Sequence, residues 1–188
     1  MNKFIKFLVV TVVFLSLASV TLSGVSTYLE PQPAISANAT DGAIVRVYGA
    51  DVWGVRGRFA IHTWVATKKT SESKFTIHEV IGWKLRRNGT ALSVSRGNPN
   101  RPWFKSPAIL LHEITGSEAK ALIPAIRQAV YDYPYAEIYT MWPGPNSNSF
   151  TQWVALTVPE LGLELPMKAI GKSWMTEHIG MSPSVVLE

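Results

Sequence analysis

Trp142-Pro143-Gly144-Pro145-Asn146-Ser147-Asn148-Ser149-Phe150 places turn formers and small polar residues between two apolar segments. Tyr135 to Met141 before it are rich in β-formers and predict a strand, whereas Phe150 to Val158 after it carry helix-like apolar spacing. A tight turn between the two would deliver polar side chains to one point, with Asn146 or Ser147 as the helix N-cap. A hydroxyl held there meets orphan N–H groups and the positive end of the helix dipole, a setting for a nucleophile or an anion-binding group. The same residues also suit a plain capped turn, so a partner elsewhere in the chain has to decide.

Working outward from the turn, the clearest helix lies upstream. Thr115-Gly116-Ser117-Glu118 fits a capping box, and Ala119, Leu122, Ile123, Ile126, Ala129 and Val130 recur at helical spacing until Pro134 stops the run. Ile44 to Tyr48, Arg58 to Thr67, Lys74 to Trp83, Ala91 to Ser95 and Pro107 to Ile114 read as strands. The third and fourth are expected to form a hairpin through Asn88-Gly89, with Lys84-Leu85-Arg86-Arg87 at its solvated end. Pro159 closes the second helix, and Pro166 to Glu188 read as an irregular tail. Several antiparallel strands followed by a helix, a strand and a helix predict an α+β domain, an antiparallel sheet with packed helices.

The chain has 188 residues, enough for one well-packed domain (43–175) and short appendages. It contains no cysteine, which excludes disulfides, cysteine-ligated metal, thiolate catalysis and lipoprotein attachment. Lys3 and Lys6 precede an uncharged apolar run from Phe7 to Val25, long enough to cross most of a bilayer's hydrocarbon core. Residues 1–27 are therefore expected to be a signal anchor or a cleaved signal peptide. Ala37-Asn38-Ala39 lies too far beyond the run for a usual cleavage site, which favours a single-pass anchor with the body extracytoplasmic; secretion or periplasmic release after cleavage is the alternative. Residues 28–42, with Pro31 and Pro33, read as a linker, and 176–188 as a tail. Without the two N-terminal lysines, 16 basic residues face 13 acidic ones, and no basic patch interleaved with aromatics predicts a nucleic-acid partner.

Of the four histidines, His62 stands in the otherwise apolar Phe59-Ala60-Ile61-His62-Thr63-Trp64-Val65-Ala66, so a buried strand would carry a titratable group that needs a partner. It is either a satisfied structural histidine or a general base directed at Ser147. Glu79, in the next strand, is placed to orient it, and His78, on the opposite face by alternation, is the weaker candidate. His62, His78 and Glu79 lack recognised metal-ligand spacing, and neither a metal nor another cofactor is expected. Asn98 to Phe104 read as an ordered loop that walls a cleft, while the tryptophans, Trp64 and Trp142 among them, suit core and cleft walls.

Phe59 to Ala66, Glu79 to Trp83, Tyr133-Pro134-Tyr135, Trp142 to Phe150, and Leu165-Pro166 through Ala169-Ile170-Gly171-Lys172 together resemble an uncharacterised bacterial family, domain of unknown function 3750. More distantly, Asn146-Ser147-Asn148-Ser149-Phe150 resembles the Asn-Cys-Asn/Glu-x-Phe motif of permuted papain-like domains, the PPPDE and lecithin:retinol acyltransferase-like groups, with serine at the cysteine position. In those groups a strand-borne histidine comes first, and His62 matches it. The resemblance implies a papain-like (NlpC/P60-like) architecture and an amide or ester hydrolase in which Ser147 attacks, His62 moves the proton, Glu79 orients it, and helix-start N–H groups with Asn146 or Asn148 hold the oxyanion. A non-catalytic envelope domain of the same fold is the alternative, binding peptide, lipid or cell-wall material between Asn146, Asn148, Trp64 and Trp142.

Overall fold

Apolar strand positions build the sheet that carries His62 and Glu79. The computed structural model describes residues 42–181; the expected anchor (1–27) and all of the expected linker (28–42) but its last residue lie outside the described residues. Five strands, β1 (Ile44–Asp51), β2 (Ile61–Lys68), β3 (Phe75–Val80), β4 (Leu92–Gly97) and β5 (Ile109–Thr115), form one antiparallel sheet in the order β4-β3-β2-β1-β5. β2 is central and buried on both faces from Ile61 to Thr67, which explains why it reads as a nearly continuous apolar run.

Two layers cover the sheet. Val45, Val47, Ile61, Val65 and Val80 pack beneath α2 (Gly116–Tyr131) and α3 (Ser147–Thr157). The other face carries Tyr48, Trp64, Ala66, Ile77 and Ile81, covered by Trp103 from the 98–108 loop. Trp64 is wholly buried, and its indole N–H donates to the Pro99 carbonyl at 2.9 Å, pinning that loop to the sheet. The architecture is α+β, as the pattern of elements predicts.

Four local expectations need correction. Tyr135 to Met141 form no strand: Tyr135 is buried, its hydroxyl lies within donating reach of the His178 (3.2 Å) and Met181 (3.1 Å) carbonyls, and the Thr140 N–H turns back to Pro145 O (2.8 Å). The β-forming side chains there pack as cavity wall and core, and the backbone finds partners outside any ladder. Lys84 to Arg87 lie in a helix, α1 (Gly82–Asn88), inserted between β3 and β4; Gly89, at φ 72°, is its left-handed C-cap rather than half of a hairpin turn. Thr115 stands at the N-cap of α2, but its side chain makes no capping bond, and the Gly116 N–H is satisfied by Ala43 O at 2.9 Å. The expected irregular tail contains α4 (Lys172–His178), which buries Trp174 and Met175 against α3. Among the described residues no helix is long and apolar enough to cross a membrane.

His78 lies on the helical face, its Nε2 3.2 Å from Thr67 Oγ1. Burial pushes its pKa from 6.5 down to about 4, and the nearby Arg127 charge adds to the shift. The unfolded chain therefore takes up a proton that the folded one refuses, so stability is complete above the ordinary imidazole value and falls as pH drops from 6.5 towards 4. Urea unfolding should show a loss of about 2 kcal/mol from this group between pH 7 and pH 5, and His78→Gln should remove that part of the pH dependence.

Candidate functional site

The turn before α3 is built around two asparagines. Asn146 is the N-cap: its Oδ1 accepts the N–H groups of Asn148 (2.9 Å) and Ser149 (3.2 Å), and Ser149 Oγ accepts the Asn146 N–H (3.2 Å) to close a capping box. The Asn146 amide then donates to Met141 O (3.0 Å) and Ile170 O (3.2 Å). Asn148 donates to Ile61 O (2.9 Å) and Ile170 O (2.8 Å) and accepts from Thr63 Oγ1 (2.9 Å). Both side-chain amides are thus spent on backbone carbonyls. Ser147 differs: it is 5% exposed, and among the described residues its hydroxyl makes no hydrogen bond.

The second half of the site lies on the opposite face of β2. His62 Nε2 is 3.1 Å from Glu79 Oε2, and Arg101 Nη2 donates to Glu79 Oε1 at 2.5 Å. The His62 ring stacks on Trp103 with centroids 3.6 Å apart and planes within 8°. Arg101 also lies over Trp64 and Trp103, at 5.3 and 5.4 Å from their ring centroids. Burial opposes ionisation of Glu79, but the hydrogen bonds from His62 and Arg101 and the Arg101 charge outweigh it and hold the carboxyl below its usual range. Burial also dominates at His62 and lowers its pKa, against the raising effect of Glu79 and with the help of Arg101. The imidazole is therefore neutral at neutral pH. A carboxylate can only accept, so Nε2 carries the proton and Nδ1 the lone pair. The sealed polar atoms without a partner among the described residues are His78 Nδ1, His112 Nε2 and Tyr133 Oη; His62 Nδ1 is not among them, because it opens on a cavity.

That cavity, of about 740 Å³, brings His62 and Ser147 into one space. Ser147 reaches it around the end of β2: its carbonyl lies 3.4 Å from Thr63 Oγ1, and Thr63 leaves the strand on the face opposite His62. Among the described residues no hydrogen bond joins Ser147 to His62. Asn146, Asn148 and Trp142 also line the cavity. Glu79 stands behind His62, and Trp64 lies beneath Arg101 in the core and does not line the cavity. Three further residues shape the site. Arg101 and Trp103 fix Glu79 and His62, and the Pro/Asn-rich loop that carries them was the available signal. Gly171, at φ 100°, lets the chain pass Asn146 so closely that an added Cβ would fall 2.3 Å from Asn146 Nδ2.

Among the described residues no group of three or more His, Asp or Glu side chains is placed to hold a metal ion. The family model described as "Protein of unknown function (DUF3750)" matches residues 42–174, and the chain belongs to that family. No curated protein and no solved structure matches it.

The close approach at Gly171 gives a direct check of this geometry. Gly171→Ala should cost about 2–4 kcal/mol through left-handed strain and the clash with Asn146, and hydrogen exchange should quicken at the start of α3. Ser173→Ala, two residues on and exposed, should leave both unchanged in denaturation and exchange measurements.

Proposed function

We propose that this DUF3750 chain is a membrane-anchored, extracytoplasmic acyl hydrolase of permuted papain-like type, in which Ser147 and His62 act on an ester or amide. The observation that carries this reading is the pairing of two free groups in one cavity: an unbonded Ser147 hydroxyl, and a neutral His62 whose Nδ1 lone pair faces the cavity while Nε2 is held by Glu79. The order of elements supports it too, a histidine-bearing strand preceding a helix that opens on Asn-Ser-Asn.

In this mechanism Ser147 Oγ attacks the acyl carbon as His62 Nδ1 takes its proton, and Glu79 stabilises the imidazolium. The charge that develops on the acyl oxygen is held by the N–H of Ser147, first residue of α3, because the asparagine amides are already engaged. His62 then returns the proton to the leaving oxygen or nitrogen. Water attacks the acyl-serine by the same route in reverse. The apolar aromatic wall suits an acyl chain, and Arg101 is a positioning residue acting through Glu79.

A second reading rests on the missing Ser147–His62 hydrogen bond: the same cavity binds an amphipathic ligand without turning it over. A fluorophosphonate probe on the full chain separates the two. Labelling should be lost in Ser147→Ala, fall about 10²-fold or more in His62→Ala, and persist in His178→Ala. The absence of labelling in the unaltered chain would favour the binding reading. With turnover in hand, Arg101→Gln should raise the pKa of the acid limb of kcat/KM, since the guanidinium charge lowers that of His62. Glu79→Gln should move the limb the other way.

A further inference from the structure

Around the mouth of the cavity stand Trp53, Phe59, Trp83, Phe104, Met141 and Trp142, every one exposed; Trp142 is 73% and Trp53 71% accessible. Val55, beside them on the short 3₁₀ turn Gly54–Arg58, is 74% accessible. Water rarely faces so many large apolar side chains on one contiguous patch unless the patch has a partner. The charged side chains lining the cavity are Arg56 and Arg86, and no carboxylate lines it. Among the described residues neither arginine forms an ion pair.

We infer that this rim is a docking surface for an anionic lipid bilayer, seated so that the cavity opens into the headgroup and upper acyl region. Tryptophan and phenylalanine partition to that depth, and the arginines meet lipid phosphates. The charge pattern argues against a glycan, whose hydroxyls would be met by carboxylates and amides at the mouth. The inference stands apart from Ser147 chemistry: a bound lipid could be cleaved or merely held.

Because the chain contains no cysteine, one nitroxide can be placed at will. The full chain with Val55→Cys, spin-labelled, is compared with Lys120→Cys, an exposed position on α2. Vesicles of phosphatidylglycerol and phosphatidylcholine in equal parts should raise the oxygen-to-nickel accessibility ratio severalfold at position 55 and leave it unchanged at 120. An N-terminal segment inserting by itself would leave the two positions alike. Adding Arg56→Glu and Arg86→Glu to Val55→Cys should abolish most of the rise, with circular dichroism confirming an unchanged fold. Equal ratios at 55 and 120 overturn the proposal, as does a rise that survives charge reversal, or binding to cell-wall sacculi with no change at 55.

Discussion

The fold around the site depends on two side-chain amides that cannot be exchanged for anything acidic or apolar. Asn146 and Asn148 together donate four hydrogen bonds to carbonyls of three separate segments, at Met141, Ile61 and Ile170, while accepting from the helix start and from Thr63. An aspartate at either position would set its charge against those carbonyl oxygens, and a leucine would leave them unpaired in a buried place, at a cost of about 1–3 kcal/mol for each. The helix start, the central strand and the loop before α4 are thereby held in one register, and Gly171 is required by the closeness of the clamp. The Asn-Ser-Asn run divides accordingly: its asparagines are structural, and the serine is the member the scaffold does not use.

Across β2, a different logic holds His62. Its ring lies flat on Trp103, its Nε2 is fixed by Glu79, and Glu79 is fixed by Arg101, which itself lies over two indole rings. A buried carboxylate with one neutral partner would be expensive to keep ionised; with a guanidinium on its second oxygen the cost is met locally. The arginine also adds to the lowering of the imidazole pKa, so the pair it stabilises is carboxylate and neutral histidine rather than carboxylate and imidazolium.

Much of this was legible in the residues, and for identifiable reasons. The five strands declare themselves by alternation or, in β2, by an apolar run broken by one histidine, and that break is what made His62 conspicuous. Glu79 followed because a short connection between β2 and β3 forces antiparallel pairing. Tyr135 to Met141 misled because β-forming aromatics serve equally well as wall and core, and composition carries no record of where the backbone bonds go. Asn88-Gly89 misled because the same dipeptide that closes a hairpin also ends a helix. The short α4 follows Pro166 and Gly171, which read as breakers, yet Gly171 is the left-handed residue from which the helix starts. For Arg101 the loop is the only signal, since one arginine among prolines looks like any solvated cation until its partner is seen.

The absence of cysteine and the electrostatics of His62 bear on each other. A thiol nucleophile paired with histidine works as a thiolate beside an imidazolium, and such a pair needs an environment that favours the charged ring. Here burial against Trp103, with Arg101 close by, disfavours it. A serine hydroxyl has the opposite requirement: it keeps its proton until attack, and its partner must be neutral beforehand and charged only in the transition state, where a fixed carboxylate repays the desolvation. Under the proposed reading, the replacement of cysteine by Ser147 and the depression of the His62 pKa are therefore one adaptation rather than two. A thiol placed at 147 would face a histidine poorly suited to ionise it.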